Sequence, residues 1–175
     1  MSATAIVIIS IIALIIIIVS LYFSYNNKEI ALRKESQAQL GKIETVRDRM
    51  FQIIREQANV SNEYREAFEK IYPEIIAGRY REGGELMKWI QEANPQFDTS
   101  LYKTLSNSIE IQRTAFTSEQ HRMLDILNQR NTLIESYPSR WFITNKSAID
   151  YEPISTSDTK NVMATHVDDY TFSFK

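Results

Sequence analysis

Histidine and acidic side chains are the first to consider, because they can bind metals or transfer protons. The chain of 175 residues contains two histidines, His121 and His166. His121 and Asp125 are four residues apart, so they would share one face of a helix. A di-iron site in a helical bundle needs several inward-facing glutamates and two Glu-x-x-His motifs, which this sequence lacks. We therefore predict no metal site and no cofactor.

Nucleophilic and phosphate-binding motifs are also missing. The chain has no cysteine, which excludes a thiolate nucleophile and a disulfide framework. Gly83-Gly84 is not followed by the Lys and Ser or Thr of a phosphate-binding loop. The 20 basic and 22 acidic residues give a net charge of −2, without the basic excess of nucleic-acid-binding proteins. We predict a protein that is not an enzyme, has no catalytic residues and binds no nucleic acid.

An apolar segment near the N-terminus is the dominant feature. From Ala5 to Phe23 the chain reads AIVIISIIALIIIIVSLYF, and the first charged side chain is Lys28. About 20 helical residues rising ~1.5 Å each cross the ~30 Å hydrocarbon core of a bilayer. We therefore predict a transmembrane anchor over residues 1–24. The residues predicted to span the membrane include Ala5, Ile8, Ile12, Ile15, Ile18, Leu21 and Phe23.

The flanks of this segment indicate an uncleaved signal anchor. A cleaved signal peptide has basic residues before its apolar core and a small-x-small cleavage site. Here no Lys or Arg precedes the core, and the exit from Leu21 to Tyr25 is bulky and aromatic. Cations follow the span, beginning with Lys28 and Arg33. The positive-inside rule then predicts a single-pass protein of the inner (plasma) membrane, with its N-terminus outside and its C-terminal domain in the cytoplasm.

The remaining chain carries helical patterns. It contains only four Gly and four Pro, which favours long helices. One apolar seam steps alternately by three and four residues, as in a helix or coiled coil. Its members are Ile43, Val46, Met50, Ile53, Gln57, Val60, Tyr64, Ala67 and Ile71. The seam favours helix from Ile43 to Ile71, ended or restarted at Pro73. Whether this helix is unbroken is a question that the sequence leaves open. The seam either packs on the protein's own core or forms a coiled coil with a partner chain.

Two further helices follow. Glu85 to Ala93 reads as a short helix stopped by Asn94-Pro95, and Asp98 or Thr99 could cap a long helix that ends before Pro138. The seam of the long helix is Leu101, Leu105, Ser108, Gln112, Phe116, Met123, Leu127, Ile134 and Tyr137. Two long helices joined by a short-helix connector pack best antiparallel. We predict an all-α fold with a transmembrane helix, an antiparallel helical bundle over 25–138 and a flexible tail over 139–175.

The tail has few apolar residues to bury. Residues 144–175 are rich in Ser, Thr, Asn and Asp, which predicts disorder over most of this segment. At its end, aromatic residues alternate with polar ones. The candidate partner-binding residues there are Tyr170, Phe172 and Phe174, which could dock as an added strand or peptide. The alternative is that these residues are simply a ragged terminus.

Several segments match the motifs of one family. Glu92-Ala93-Asn94-Pro95 is similar to an E-A-x-P segment, and Asn131 to Ser139 is similar to N-T-x-I-x-S-F-P-S. With the Tyr25-Asn26 opening, they resemble the LemA family of membrane-anchored bacterial proteins. The chain departs from the family at Leu40, where the family has tryptophan, and at Arg55, where it has proline. The resemblance covers about two-thirds of the chain and implies an N-out anchor, a cytoplasmic antiparallel bundle and no transferable catalytic residues. It is compatible with a bacterial or a phage origin and does not distinguish them.

Two functions fit these patterns. The first is a non-enzymatic scaffold tethered to the cytoplasmic membrane face, with the lipid bilayer and unidentified proteins as partners. Ser108, Gln112 and the aromatic C-terminus are the binding positions to consider, and the apolar span or the Ile43–Ile71 seam is compatible with a homo-oligomer. The alternative is an envelope-spanning, lysis-type coiled-coil protein resembling a phage spanin, with the bundle outside. The basic flank and the two proline stops argue against this alternative.

Overall fold

A computed structural model describes residues 2–77 and 84–154, except for the side chain of Glu85. All regular elements within these ranges are helical, so the predicted all-α class with two long helices is confirmed. In chain order they are α1 (Ala3–Ala58), a 3-10 turn (Asn62–Tyr64), α2 (Arg65–Ile76), α3 (Glu85–Ala93), a second 3-10 turn (Thr99–Leu101), α4 (Tyr102–Glu135) and α5 (Ser139–Phe142).

Helix α1 continues from the apolar segment into the polar sequence that follows it. It is 56 residues long and contains no proline. Gly41 lies within it, and a Cβ added there would meet nothing within 4 Å. A glycine costs a helix only about 1 kcal/mol relative to alanine, which does not end a helix that is supported on both sides. The apolar span and the first part of the bundle therefore belong to one continuous helix.

The helical region from Ile43 to Ile71, whose continuity the sequence left open, is broken. Helix α1 ends at Ala58, and Asn59 follows with a φ of 50°. Asparagine tolerates this left-handed conformation better than most residues, so it can reverse the chain direction here. A 3-10 turn then begins after Ser61, which caps it: Ser61 Oγ accepts a hydrogen bond from the Glu63 amide at 3.4 Å. The seam is therefore shared between α1 and α2.

Proline also acts differently from the prediction in α2. Pro73 lies inside α2, which continues to Ile76, so the expected end or restart at this residue is wrong. The missing proline donor affects only one backbone bond, and the helix ends one turn later. The Ala77 amide donates to the Pro73 carbonyl at 3.0 Å and completes that last turn.

The predicted signals around α3 and α4 are confirmed. Helix α3 ends at Ala93, and the Asn94 amide donates to the Ile90 carbonyl at 2.7 Å. Asp98 Oδ1 accepts a hydrogen bond from the Ser100 amide at 2.9 Å and caps the 3-10 turn that leads into α4. Hydrogen bonds from the Ser100 side chain and then its backbone hold the pKa of Asp98 below its usual value.

The chain divides into two compact units, and α1 and α4 contribute to both. The first contains Met1–Lys42 and Glu119–Tyr151, and the second contains Ile43–Ser118 with the described residues 152–154. The core of the second unit is aromatic. Phe68 is fully buried and its ring lies 5.2 Å from that of Phe51 and 6.1 Å from that of Trp89. Phe116 of α4 contacts Tyr72 with ring centroids 5.5 Å apart.

The first unit is an antiparallel pair made by the N-terminal part of α1 and the C-terminal part of α4. Its apolar cluster is Leu32, Ile126, Leu133, Ile134 and Ile143, with Tyr25 packed against it. Ile143 and the buried Ser139 belong to the start of the segment predicted as a flexible tail. The predicted division into 1–24, 25–138 and 139–175 stays a prediction, and residues 155–175 lie outside the described residues.

Candidate membrane-anchoring site

The apolar part of α1 exposes its side chains on every face. Ile8, Ile12, Ile15 and Ile18 are each 46–57% exposed, and Phe23 is 58% exposed. Ala5 and Leu21 are partly buried. No part of the most apolar window of this helix is buried within the protein. A continuous apolar surface of this kind marks an interaction with a membrane or another protein.

One polar side chain of this segment is satisfied within the helix. Ser10 Oγ donates to the Ile6 carbonyl at 2.9 Å, which is the back-bond that serine makes in membrane helices. The backbone groups are paired along the helix, as a hydrocarbon environment requires. By its length and composition, the segment is therefore a candidate membrane span.

An asparagine ties the end of the apolar segment to the chain beyond α4. Asn26 Nδ2 donates to the Phe142 carbonyl at 2.6 Å and to the Tyr22 carbonyl at 2.9 Å. Asn26 Oδ1 accepts from the Thr144 amide at 3.1 Å. The ring of Tyr25 stacks on that of Phe142 with centroids 5.8 Å apart. Residues 142–144 are thus fixed beside the helical turn where the apolar segment ends.

One turn further along α1, a charged pair lies inside the two-helix contact. Arg130 Nε and Nη2 donate to Glu29 Oε1 at 3.0 and 2.8 Å. The Arg130 side chain is 0% exposed and that of Glu29 is 3% exposed. Arg33 Nε lies 3.6 Å from the same carboxylate oxygen. The carboxylate therefore faces the buried guanidinium of Arg130 and the partly exposed guanidinium of Arg33.

Polar contacts continue along the same pair of helices. Gln39 Nε2 donates to the Glu119 carbonyl at 2.9 Å and to its Oε2 at 2.6 Å. Arg122 and Glu35 form a more exposed ion pair at 3.3 Å. On α1, Glu29, Ser36 and Gln39 are all buried and lie at helical spacing with Leu32. This unit therefore combines buried polar and aliphatic side chains between its helices, in contrast to the aromatic core of the other unit.

The buried pair serves specificity better than stability. Removing two charges from water costs several kcal/mol per ion, and their attraction recovers this only with good geometry and full hydrogen bonding. Arg130 Nη1 has no hydrogen-bond partner among the described residues, so the pair is not fully satisfied. A buried pair of this kind favours one register, because a shifted register would separate the two charges within the contact.

The other predicted positions have separate outcomes. Ser108 Oγ accepts a hydrogen bond from Gln57 Nε2 at 3.1 Å within the second unit, so it already contacts α1. Its predicted role in partner binding, with that of Gln112, stays a prediction. Tyr170, Phe172 and Phe174 lie outside the described residues. No group of three or more potential metal ligands occurs among 2–77 and 84–154.

Sequence reasoning missed Asn26, Glu29 and Arg130 as structural residues. The signal was the spacing: Glu29, Leu32, Ser36 and Gln39 step by three, four and three residues and reach Ile43 after four more. That pattern continues the predicted seam toward the membrane, but polar side chains at most of its positions concealed it. Comparisons of the chain with family models, curated proteins and solved structures gave no match.

Proposed function

We propose that the protein is a single-pass, membrane-anchored helical scaffold. The segment from Ala5 to Phe23 crosses the inner membrane, and the two helical units lie on its cytoplasmic face. They recruit protein partners there without catalysing a reaction. The lysis-type, envelope-spanning arrangement differs in one respect that can be tested, since it places the helical units outside.

The observation that supports anchoring best is the continuity of α1 across the end of the apolar segment. No break separates the exposed apolar part from the antiparallel pair that it forms with α4. A cleaved signal sequence needs an accessible, extended cleavage site, whereas residues 21–26 here are helical and bonded to Phe142 and Thr144. The apolar segment and the helix pair of the first unit are therefore connected by one continuous helix.

The charge distribution supports the cytoplasmic placement. Lys28, Arg33 and Lys34 follow the span within about three helical turns, and residues 1–4 contain no Lys or Arg. Positive charges near a span remain on the cytoplasmic side during insertion. Arg33 forms an ion pair with Glu29, but acidic residues contribute little to the positive-inside rule.

Protease accessibility of a C-terminal tag in spheroplasts tests this placement. We expect the tag to resist added protease in intact spheroplasts and to be digested after the membrane is permeabilised. A tag that is digested in intact spheroplasts would place the helical units outside and favour the envelope-spanning alternative. A periplasmic protein and a cytoplasmic protein in the same samples report the integrity of the membrane.

Crosslinking in membranes tests the role of the C-terminal residues. We expect the full-length protein to capture neighbours that a variant lacking Ser155–Lys175 does not. Capture of the same neighbours by both forms would show that partners bind the helical units instead of the aromatic terminus.

A further inference from the structure

The end of α4 carries an exposed aromatic cluster, here named the Tyr-Arg-Trp cluster, which comprises Tyr137, Arg140 and Trp141. The side chains of Tyr137 and Trp141 are 64% and 74% exposed. Their rings contact each other edge to face with centroids 5.1 Å apart. The Arg140 guanidinium lies 6.0 Å from the centre of the Tyr137 ring. Two large rings and a cation are thus held together outside any core.

The register of the helix pair places this cluster at the end of the apolar segment. Arg130 of α4 faces Glu29 of α1, and Glu119 faces Gln39, so the helices run antiparallel with a constant offset. Extending that offset to the last residue of α4, Glu135, reaches the level of Phe23 and Ser24. The Tyr-Arg-Trp cluster follows Glu135 directly.

Direct contacts give the same placement without extrapolation. Phe142, the neighbour of Trp141, stacks on Tyr25 and accepts a hydrogen bond from Asn26. The hydroxyl groups of Tyr22 and Thr144 share a hydrogen bond of 3.3 Å. The chain directly after Trp141 is therefore fixed beside residues 22–26, where the apolar segment gives way to polar sequence.

We propose that the Tyr-Arg-Trp cluster is a second membrane contact, with its rings in the headgroup region of the leaflet on the bundle side. Tyrosine and tryptophan are enriched at this level because each ring has an apolar body and a polar group. Arg140 would pair with lipid phosphate through its planar guanidinium. The proposal rests on the proposed anchoring of α1.

A lipid surface explains the exposure of the cluster better than a protein partner does. The exposed rings of Tyr22 and Phe23 lie on the turn of α1 that precedes Asn26, and their centroids are 5.6 Å apart. The two aromatic pairs thus lie at the same level, at the end of the apolar segment. The consequence is that α4 as well as α1 is held to the bilayer, which restricts rotation of the helix pair about the span.

Tryptophan fluorescence in vesicles tests this contact, because the chain has only two tryptophans. Trp89 is 6% exposed and packs on Phe68 in the other unit. The W89F variant of the full-length protein leaves Trp141 as the only indole. The protein is reconstituted into phosphatidylcholine and phosphatidylglycerol vesicles whose lipids carry bromine near the carbonyl end or near the methyl end of the acyl chain. Flotation of the vesicles is measured on the same samples.

We expect the W89F protein to float, and its Trp141 emission to be blue-shifted and strongly quenched by bromine near the carbonyl end, with less quenching by the deeper bromine. Flotation with unquenched, water-like emission would overturn the second contact while leaving the anchor intact. Failure to float would overturn the anchor, and the second contact with it. The W141F variant, in which only the buried Trp89 remains, should float without quenching.

A difference measurement avoids the core substitution. The emission of the wild-type protein minus that of the W141F variant isolates Trp141 with Trp89 in place. The difference spectrum should show the same quenching by shallow bromine. A difference spectrum without quenching in floating vesicles would again contradict the proposal.

Discussion

Glu29 and Arg130 determine how the helices next to the apolar segment face each other. Both side chains are almost fully buried, and the charged groups meet at 2.8 Å. Leu32, Ile126 and Leu133 lie in the same cluster of this unit. A shift of the helices by one turn would separate these two buried charges, at a cost of several kcal/mol. The pair therefore selects one register, as single polar residues do in coiled coils.

Breaking this pair should destabilise the protein more than replacing it. E29Q leaves the buried charge of Arg130 without its carboxylate, and R130M leaves that of Glu29 without its buried guanidinium. We expect each variant to lower the free energy of unfolding by about 3–5 kcal/mol. The double variant E29L/R130M should recover most of this loss. Urea unfolding of the full-length protein in detergent micelles, followed by circular dichroism, measures the effect.

An exposed pair on the same helices provides the matched control. Arg122 and Glu35 are 60% and 46% exposed, so E35Q should cost less than about 1 kcal/mol. If E29Q and E35Q had equal effects, the special role of the buried pair would be refuted.

The cap at Asp98 predicts a pH dependence. Hydrogen bonds from Ser100 lower the pKa of Asp98 in the folded protein from its ordinary value of 3.8. The stabilisation is therefore complete above that ordinary value and is lost as the pH falls through the lower, folded-state pKa. We expect D98A to melt at a lower temperature than wild type at neutral pH, and the difference to shrink in strong acid.

The D98N variant separates charge from hydrogen bonding. Asparagine caps helices about as well as aspartate but does not titrate. D98N should therefore remain close to wild type at neutral pH, and its stability should lack the acid-dependent loss. An equal difference between D98A and wild type at every pH would exclude the ionised carboxylate as the cap.

At the scale of elements, the helices followed from periodicity, but the break between α1 and α2 did not. A strict heptad pattern connects Ile43 with Ile71, and it continues across Asn59 without interruption in the sequence. A straight helix turns once every 3.6 residues and drifts from such a pattern. The structure accordingly buries Phe51, Ile54 and Ala58 and exposes Gln57. The left-handed backbone conformation of Asn59 ends the helix. Neither a proline nor a glycine in the sequence marks this position.

The conformation of Asn59 gives a test of this break. Its φ is 50°, a region where glycine is unstrained and a residue with a Cβ pays about 1–2 kcal/mol. We expect N59G to be as stable as wild type or slightly more stable, and N59A to lose about 1 kcal/mol. Denaturant midpoints of the full-length protein in micelles report both changes.

The control for this comparison is E56A, an exposed position inside α1, which should change stability by less than about 0.5 kcal/mol. Equal stability of N59A and N59G would mean that Asn59 does not adopt the left-handed conformation and that α1 continues past it.

The candidate site was predictable in its apolar part and not in its polar part. Composition and length alone indicate the segment from Ala5 to Phe23. In the sequence, Glu29 is one of several acidic residues that follow the span. Its contact with Arg130 cannot be predicted from a single sequence. That contact depends on the antiparallel register of α1 and α4, which is set by packing over many residues. Asn26 was missed for the same reason, because its partners lie beyond α4.

At the scale of the whole molecule, the account rests on the exposed apolar segment of α1. A surface of isoleucine, valine and leucine on every face of a helix is unstable in water and stable in hydrocarbon. The polar helix pair that follows is stable in water. One chain with both properties, joined without a break in α1, is suited to holding a helical scaffold at a bilayer surface.

Extraction with alkaline carbonate tests this claim most directly. Membranes containing the full-length protein are compared with those containing I12R/I15R, which places two arginines at the centre of the span at about 2.5–3.5 kcal/mol each. The control is Q37R/A38R, at exposed positions beyond the span. We predict that wild type and Q37R/A38R stay in the membrane pellet and that I12R/I15R is released. Recovery of the wild-type protein in the soluble fraction would contradict the account.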